Sequence, residues 1–482
     1  MVCSSCCIFD LTLKQTFLNF NSLLRYMQKH IQKFDVIVIG AGSGLNISSA
    51  ASSLGLNVAL VEEGPMGGTC LNRGCIPSKI IIHSADVADI VRNSSVFGLK
   101  AKLNGVDFGK VMKRAAIVHQ EAKEIEEAVK EDKNVTLFKV RGTFVGKKIV
   151  QVGNKQITAD KIIIGAGTRP QILPIEGIED VHCITSDEAL WLKKLPKSMI
   201  VLGGGYIAAE LAHFYRAMGT KVTVVQRSEI LVKNEDENIS RAFTRIFKKR
   251  HNVITGFVPV KAEKKGKSIL LTISNSKITK KIEAEQLLMA TGRIPNTDIL
   301  EVAKTGVRVR NGFVETNEYM ETDVKGIWAF GDIAGKYQFK HSANDEADIV
   351  IRNALYGQHD KVNYKAMPHA IFSSPQVAGV GEREQDLKVR KADYVVGEHK
   401  YYSTGMGLAL EDKEGFVRVY ADRKTKKILG CHVLGTDAST VVHEAVLAMR
   451  YDITAEQLAD AIHIHPALSE VLQRACVGIE WG

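Results

Sequence analysis

Continuous apolar runs that end in glycine turns recur along the chain, and they predict buried parallel strands. The first run, FDVIVIG at residues 34–40, precedes a glycine loop, a helix over Leu45 to Leu54 and a second strand, NVALVEE. The same order begins again at Ser198, where SMIVLGGG leads into a helix and then into KVTVV. A strand that passes through a glycine loop into a helix is the βαβ unit of dinucleotide-binding folds. The pattern therefore predicts an α/β protein with two Rossmann-like domains.

The two glycine loops have the spacing that phosphate binding requires. The small residues of the first loop are Gly40, Gly42 and Gly44, and those of the second are Gly203, Gly205 and Ala208. They let backbone amides approach a pyrophosphate at the N-terminus of the following helix. The first loop carries Leu45 where the fingerprint expects a third glycine, so helix and strand should pack a little less closely there. Two such sites imply two nucleotides, which suits a flavin and a nicotinamide.

The residues at the ends of the second strands indicate which nucleotides bind. Glu62 stands 22 residues after Gly40, where an acid would bind the adenosine ribose. The matching position of the second unit is Gln226, followed by Arg227 and Lys233. Loss of the carboxylate removes a repulsion, and the two cations could pair with a 2′-phosphate. The sequence therefore favours NADPH over NADH, although either cation could equally be an ordinary surface charge.

A cysteine pair follows the first unit, in the run GGTCLNRGCIPSK at residues 67–79. Cys70 and Cys75 are five positions apart. Five residues of regular helix rise about 7.5 Å, beyond the roughly 4.4 to 6.8 Å between the Cα atoms of a disulfide. A bridged pair would therefore need a tightened loop or a distorted first helical turn. A structural disulfide, a pair of metal ligands and two unrelated thiols are the alternatives that the spacing leaves open.

Further strands that end in glycine turns follow, and the C-terminal part has another character. KIIIGAGTRP, LLMATGRIPNT and IWAFGDIAG are such strands, and Asp332 in the last could hold a ribityl hydroxyl or cap a helix.

From about Lys361 the chain changes to short β-runs and helices without a glycine fingerprint, which indicates an interface or substrate domain. Near its end, His465 precedes Glu470 by five residues. A histidine oriented by a carboxylate suits proton transfer to and from sulfur, whereas a solitary histidine would more often be structural.

These features divide the chain into five predicted segments. They are an N-terminal extension at 1–33, a flavin-binding domain at 34–160, a nicotinamide-binding domain at 161–285, a central domain at 286–358 that completes the flavin site, and an interface domain at 359–482. The extension could be a targeting peptide, although it has no clear signal-peptide core. A gene model begun upstream of Met27 is the alternative.

Composition narrows the choice of function. The 482 residues contain no apolar run of 18 or more, which predicts a soluble protein without a membrane span. The net charge of +10 comes from dispersed basic residues, and the densest group, at 261–281, alternates with apolar residues like a solvated β-hairpin, so nucleic-acid binding is not expected. Eight scattered cysteines do not form a disulfide scaffold and fit a reducing compartment, here the cytoplasm. Cys3, Cys6 and Cys7 lack a second ligand pair, so no metal site is expected.

The motifs together resemble those of a known family. GGTCLNRGCIPSK, GGGYIAAE, ATGRIPN, FGDIAG and HPALSE occur in the order found in class I flavin-dependent pyridine nucleotide-disulfide oxidoreductases. Among these enzymes, the chain is most similar to the dihydrolipoyl dehydrogenases. The resemblance implies FAD and NAD(P)H as cofactors, two Rossmann-like domains with a C-terminal α+β dimerisation domain, and a homodimer whose active site is shared between subunits.

The resemblance also implies the roles of individual residues. Cys70 would exchange with the substrate, and Cys75 would lie against the flavin. His465 of one subunit would serve the other as acid and base, oriented by Glu470. The implied cofactor-binding positions are Gly40, Gly42, Gly44, Glu62, Glu63, Gly68, Thr69, Lys79, Gly165, Gly203, Gly205, Tyr206, Ile207, Glu210, Gln226, Arg227, Lys233, Gly292 and Asp332.

The activity that the resemblance implies is dihydrolipoyl dehydrogenation, with a small molecule or a lipoyl domain as substrate. An NADPH-dependent reductase of a low-molecular-weight disulfide, similar to glutathione or mycothione reductase, is the alternative. Mercuric reduction is less expected because the chain lacks a C-terminal vicinal cysteine pair. A non-catalytic flavoprotein scaffold and a zinc site at the two cysteines are further alternatives. Arg73 stands between the cysteines where an apolar residue is usual, and it could favour an anionic disulfide or simply face solvent.

Overall fold

The computed structural model describes residues 31–482, so the cysteines at positions 3, 6 and 7 and most of the predicted N-terminal extension lie outside the described residues. The first strand begins at Ile31 and pairs with a later strand from that residue onward. Residues 31–33, which the sequence assigned to the extension, therefore belong to the first sheet, because they pair with residues 156–158.

The strands and helices are numbered in chain order. The strands are β1 (Ile31–Ile39), β2 (Val58–Val61), β3 (Val135–Phe138), β4 (Gly142–Gly146), β5 (Ile149–Val152), β6 (Lys155–Ile164), β7 (Thr168–Pro170), β8 (Cys183–Thr185), β9 (Ser198–Leu202), β10 (Lys221–Gln226), β11 (Asn252–Thr255), β12 (Val258–Lys265), β13 (Ser268–Ser274), β14 (Thr279–Ala284), β15 (Gln286–Met289), β16 (Arg293–Pro295), β17 (Val309–Arg310), β18 (Phe313–Val314), β19 (Ile327–Ala329), β20 (Pro368–Ile371), β21 (Gln376–Gly381), β22 (Tyr394–Lys400), β23 (Phe416–Asp422) and β24 (Ile428–Gly435). The α-helices are α1 (Gly44–Ser53), α2 (Gly68–Arg73), α3 (Cys75–Arg92), α4 (Phe108–Ala115), α5 (Ile117–Glu131), α6 (Ser186–Ala189), α7 (Tyr206–Met218), α8 (Glu237–Arg250), α9 (Lys340–Val350), α10 (Glu384–Val389), α11 (Gly405–Ala409), α12 (Ala438–Val441), α13 (His443–Arg450), α14 (Ala455–Asp460) and α15 (Ser469–Val477).

The described chain folds as two compact units. The first comprises residues 31–68, 122–168 and 295–362, and the second comprises residues 69–121, 169–294 and 363–482. The five predicted segments are a finer division of the chain and remain predictions.

A sheet in the order β3-β2-β1-β6-β5-β4 forms the centre of the first unit, with β19 beside β6. The strands β3, β2, β1, β6 and β19 run parallel, whereas β4 and β5 add an antiparallel edge. Side chains of β1 alternate between two cores: Val36 and Val38 pack on one face, and Ile37 and Ile39 pack on the other. A strand covered on both faces has to be apolar throughout, which explains its continuous hydrophobic run.

The second unit contains three sheets of three or more strands. A parallel sheet in the order β11-β10-β9-β15-β8 repeats the nucleotide-binding architecture. The basic run at 261–281 lies in β12, β13 and β14, which form a three-stranded antiparallel sheet, so the β-hairpin pattern that the alternation indicated extends to a third strand. The C-terminal strands form an antiparallel sheet in the order β20-β21-β24-β23-β22, joined by α10 to α15. The predicted fold class, two Rossmann-like domains with a C-terminal α+β domain, is confirmed.

Within residues 31–482, no helix is long and apolar enough to cross a membrane.

Candidate active site

The two cysteines lie on either side of a helix break. Cys70 belongs to α2, and Cys75 is the first residue of α3. Between them, Gly74 has φ −151° and ψ −114°, outside the helical region. A Cβ atom at Gly74 would lie only 3.0 Å from the carbonyl oxygen of Thr69, so the backbone folds back closely at this point. The distorted turn that the cysteine spacing required is thus a break between two helical segments.

The two cysteines are not bridged in this structure, and Cys70 is half-buried whereas Cys75 is exposed. A hydrogen bond from Cys70, followed by the positive charge of Lys79, lowers the pKa of Cys75 from 9.0 to about 7, while burial and the charge of Glu210 oppose the shift. The thiolate is the reactive form of cysteine. The pair is therefore built to hold one sulfur as an anion near neutral pH.

A buried ion pair stands one helical turn beyond Cys75. The Lys79 Nζ atom donates to both carboxylate oxygens of Glu210, at 3.0 and 2.8 Å. Glu210, on α7, is only 6% exposed and also accepts a hydrogen bond from the Phe372 backbone N–H at 2.9 Å. The structure thus pairs two of the residues for which the resemblance implied a role near the cofactors.

Two further polar contacts join the same helices. The His213 Nε2 atom of α7 lies 2.8 Å from an Asp86 carboxylate oxygen of α3, and Arg216 donates to Asp89 one turn further along. His213 is fully buried. Charged and polar pairs at successive turns fix the register of α3 against α7, so the helix that begins at Cys75 is held along its length.

The predicted acid-base residue is exposed and oriented. The His465 side chain is 75% exposed, and its Nδ1 atom lies 3.0 Å from the Glu470 Oε1 atom. The other carboxylate oxygen of Glu470 accepts the Ala467 backbone N–H at 3.0 Å. The hydrogen bond from His465 and then that of Ala467 lower the pKa of Glu470. Since Nδ1 faces a carboxylate, Nε2 is the nitrogen that can exchange a proton with substrate.

The first glycine loop is held by Glu62. One carboxylate oxygen of Glu62 accepts the Ala41 N–H at 2.8 Å, and the other accepts the Gly64 N–H at 2.7 Å. The neighbouring acid, Glu63, instead forms an exposed ion pair with Arg141 at 2.9 Å. The structure therefore separates two adjacent acids that the sequence grouped together, and only Glu62 lies at the loop.

Glycine is required where this loop meets neighbouring backbone. Gly68 has φ +62°, and a Cβ atom there would lie 2.8 Å from the Gly42 Cα atom. Gly40 has φ +104°, and its Cβ would lie 2.4 Å from the Gly165 carbonyl oxygen. These positions leave a cradle of bare backbone, which fits the pyrophosphate of the implied FAD.

The departure at Leu45 has a local compensation. A Cβ atom at Gly44 would lie 2.9 Å from a methyl carbon of Val38. The close contact between helix and strand that the third fingerprint glycine normally permits is therefore made one residue earlier, at Gly44.

Several polar residues of the first unit complete this loop and were missed from the sequence. The Ser43 hydroxyl donates to Asn344 at 2.8 Å and accepts from the Lys340 Nζ atom at 2.7 Å. Asp332, which was predicted, lies in a turn after β19 and accepts from the Thr168 hydroxyl at 2.9 Å. The partners of Ser43 lie in the polar run FKHSANDE, which was the sequence signal for them. A polar run on a helix, however, is usually just a solvent-exposed face.

Gln226 packs against the second glycine loop. This residue is 8% exposed, and its side chain packs where a Cβ atom of Gly204 would stand. Its Nε2 atom donates to the Ser228 hydroxyl at 2.7 Å, and its Oε1 atom accepts the Arg227 backbone N–H at 3.1 Å. Arg227 and Lys233 are both exposed, and neither pairs with a carboxylate among residues 31–482. The end of β10 therefore carries uncompensated positive charge and no acid at position 226.

The remaining predicted positions of this loop surround the start of α7. Gly203 has φ +116°, and a Cβ atom there would lie 2.2 Å from the Ala290 carbonyl oxygen. Gly205 caps α7, and Tyr206, its first residue, is 41% exposed. Gly292 has φ +118° and accepts the Gln171 N–H through its carbonyl oxygen at 2.9 Å. A nicotinamide nucleotide could thus meet bare backbone at the N-terminus of α7.

Arg73 is the last residue of α2, and its side chain is 45% exposed. Its Nη1 atom lies 3.6 Å from an Asp187 carboxylate oxygen of α6. Burial raises the pKa of Asp187, although Arg73 and Arg293 act in the other direction. Nothing in the sequence indicated Asp187, which is 114 residues away from Arg73 along the chain.

In the described part of the chain, no three histidine, cysteine or carboxylate side chains are arranged to hold an ion.

Comparisons with known proteins found matches over most of the chain. The family model described as pyridine nucleotide-disulphide oxidoreductase matches residues 34–347, and the model for the dimerisation domain of the same family matches residues 367–476. The chain is 32% identical to a mycothione reductase of Mycobacterium tuberculosis over 462 residues, 93% of this chain and 100% of that protein. It is 33% identical to a dihydrolipoyl dehydrogenase of Cupriavidus necator over 471 residues, 93% of this chain and 98% of that protein.

A solved structure is also similar. The Cu(II) complex of the HOCl-induced flavoprotein disulfide reductase RclA from Escherichia coli superposes with a TM-score of 0.83 at 25% identity, over 93% of this chain and 99% of that one. The similarity extends through both nucleotide-binding architectures and the C-terminal domain.

Proposed function

Since the chain belongs to the class I pyridine nucleotide-disulphide oxidoreductases, we propose that it moves two electrons between a nicotinamide and a substrate disulfide through FAD and the Cys70–Cys75 pair. One observation carries this proposal: the two thiols share a hydrogen bond, and the pKa of Cys75 is lowered to about 7. When bound, FAD would accept hydride from the nicotinamide and return the electron pair to the cysteines.

The chain's own residues supply the remaining steps. The Cys70 thiolate attacks one sulfur of the substrate disulfide and forms a mixed disulfide, and the first product thiolate leaves. The Cys75 thiolate then attacks the Cys70 sulfur, which forms the Cys70–Cys75 disulfide and releases the second product thiolate. Imidazolium at His465, oriented by Glu470, donates the proton to a departing sulfur. The cysteine pair loses two electrons, and the substrate gains them.

The proposed direction is reduction of a disulfide with NADPH. Gln226 turns its side chain inward to Ser228, so no carboxylate would repel a 2′-phosphate, and the charges of Arg227 and Lys233 are not neutralised by acids among residues 31–482. These contacts support NADPH. Oxidation of dihydrolipoyl groups is the second candidate, favoured by the motif order and by relatives such as the Cupriavidus enzyme. Both reactions use the same thiols and the same histidine.

Steady-state rates separate the two candidates. The FAD-loaded enzyme is assayed with NADPH and NADH against simple disulfides, and with dihydrolipoamide and NAD⁺ or NADP⁺ in reverse. The proposal expects a higher kcat/KM for NADPH, and Gln226→Glu should shift the preference toward NADH by about ten-fold or more. A strong preference of the unaltered enzyme for NADH, with rapid dihydrolipoamide oxidation, would establish the second candidate instead.

The proposal includes a homodimer, because the C-terminal part matches the family's dimerisation domain. In that dimer, His465 of one subunit would serve the cysteines of the other. Mixing Cys70→Ser and His465→Gln chains tests this arrangement. Random reassociation should restore about a quarter of the unaltered activity, because half the dimers are mixed and each has one intact site. A site formed within one subunit would give no activity in any combination.

A further inference from the structure

Arg73 is placed beside the sulfur that meets the substrate. It follows Cys70 by three positions on the same helix, α2. Side chains at i and i+3 of a helix are neighbours, with Cβ atoms about 5 to 6 Å apart. Only Gly74 separates it from Cys75, which keeps the Cα atoms of Arg73 and Cys75 within about 7 Å. By this spacing, Cys70 lies within the reach of the Arg73 side chain.

The guanidinium of Arg73 is available for a ligand. The separation of 3.6 Å from Asp187 is longer than an N–H···O hydrogen bond. Within residues 31–482, no other carboxylate lies within ion-pair distance, and no acceptor takes a hydrogen bond from this guanidinium. Asp187 therefore restricts the position of the Arg73 side chain but does not occupy its N–H donors. The planar guanidinium can still bind a carboxylate through two hydrogen bonds.

The backbone that carries Arg73 is anchored. The Trp191 indole N–H donates to the carbonyl oxygen of Asn72 at 3.1 Å. The ring of His119 packs against Trp191, with centroids 4.4 Å apart. Because the end of α2 is fixed on this side, the guanidinium samples a restricted region next to the cysteines, and a restricted donor discriminates between ligands better than a mobile one.

We propose that Arg73 determines substrate specificity by binding a carboxylate of the disulfide substrate while Cys70 attacks its sulfur. The substrate class is a disulfide that bears a carboxylate a few bonds from the sulfurs, in preference to a neutral or cationic disulfide. This inference rests on the proposed function for its consequence in turnover, but the contact itself can be tested without turnover.

Three dialkyl disulfides of different charge measure the effect on turnover: dithiodipropionate (anionic), 2-hydroxyethyl disulfide (neutral) and cystamine (cationic). The FAD-loaded enzyme should rank them anion, neutral, cation by kcat/KM. Arg73→Met should lower kcat/KM for the anion about ten-fold or more, mainly through KM, and leave the neutral disulfide within about two-fold. Arg73→Lys should restore part of the preference, and added salt should reduce it. Arg241→Met, an exposed arginine of α8, is the control for loss of one positive charge.

Alkylation of Cys70 gives the second measurement, which needs no disulfide reduction. The ratio of the rates with iodoacetate and iodoacetamide, read by peptide mass mapping of reduced enzyme, should fall several-fold in Arg73→Met and remain unchanged in Arg241→Met. The inference is overturned if the unaltered enzyme ranks the three disulfides without regard to charge. It is also overturned if Arg73→Met lowers kcat/KM for all three disulfides equally. Absence of turnover with every disulfide, combined with a changed alkylation ratio, overturns the proposed function and leaves the role of Arg73 standing.

Discussion

The pair formed by Lys79 and Glu210 should control the ionisation of Cys75 in opposite directions. Lys79 lowers the pKa of this thiol, and Glu210 raises it. Replacing Lys79 by Met removes the cation and leaves the carboxylate unopposed, so the pKa of Cys75 should rise. Replacing Glu210 by Gln leaves the cation unopposed, so the pKa should fall.

The size of the effect depends on pH. With a pKa of about 7, the Cys75 thiol is about half ionised at pH 7, whereas at 9.0 it would be about 1% ionised. Lys79→Met can therefore slow alkylation of Cys75 at pH 7 by several-fold, up to a limit of roughly fifty-fold. Glu210→Gln can gain at most about two-fold at pH 7 but up to about ten-fold at pH 6, where most of the thiol is still protonated.

The assay is iodoacetamide labelling of reduced, FAD-loaded enzyme over a range of pH, followed by trypsin and mass spectrometry. Trypsin cuts after Arg73, so Cys70 and Cys75 fall in separate peptides and are quantified independently. Lys110→Met, an exposed lysine of α4, controls for the loss of one positive charge. A midpoint that stays near 7 in Lys79→Met, or shifts of the same sign in both variants, would refute the electrostatic account.

Three further predictions concern other parts of the structure. Glu470→Gln, which removes the carboxylate behind the His465 imidazole, should lower kcat about ten- to a hundred-fold with little change in KM if His465 has the proposed role, measured by steady-state disulfide reduction. Gly68→Ala, whose Cβ would lie 2.8 Å from the Gly42 Cα atom, should reduce flavin absorbance per mole of purified protein, whereas Gly98→Ala, also at positive φ but with no neighbour within 4 Å, should not. Burial lowers the pKa of His251 to about 3, below its value of 6.5 in unfolded protein, so the unfolded state binds the extra proton and stability falls as pH drops from 6.5 toward 3. His251→Gln should flatten that fall, seen as a smaller difference between Tm values at pH 7 and pH 5; an equally steep fall would contradict this reasoning.

Much of the fold could be predicted from local patterns, because a strand covered on both faces must be apolar and a phosphate loop must be rich in glycine. The runs FDVIVIG at 34–40 and SMIVLGGG at 198–205 satisfy both conditions, and their apolar parts lie in β1 and β9 as expected. The cysteine spacing predicted that a bridged pair would need a tightened loop or a distorted first turn, and the structure breaks the helix at Gly74, between the two cysteines.

Contacts between distant segments could not be predicted in this way. Asp187 approaches Arg73 because α6 packs near α2, and no local pattern reports that packing. Spacing along the chain likewise cannot show which of two adjacent acids faces the glycine loop. In the structure, Glu62 faces the loop and Glu63 pairs with Arg141 at the surface. The inward turn of Gln226 depends on Ser228, two residues later, and on the room left by Gly204.

The helix break at Gly74 has a mechanical consequence. An enzyme of this kind makes and breaks one sulfur–sulfur bond in every cycle, and each change alters the distance between the two sulfur atoms. Because the cysteines stand on separate helical segments joined by a single glycine, rotation about the two torsions of that residue can absorb the change. The segment after the break, tied to α7 by three polar pairs, can then remain still. The backbone change in each cycle is then confined to Gly74, and the rest of the fold keeps its conformation.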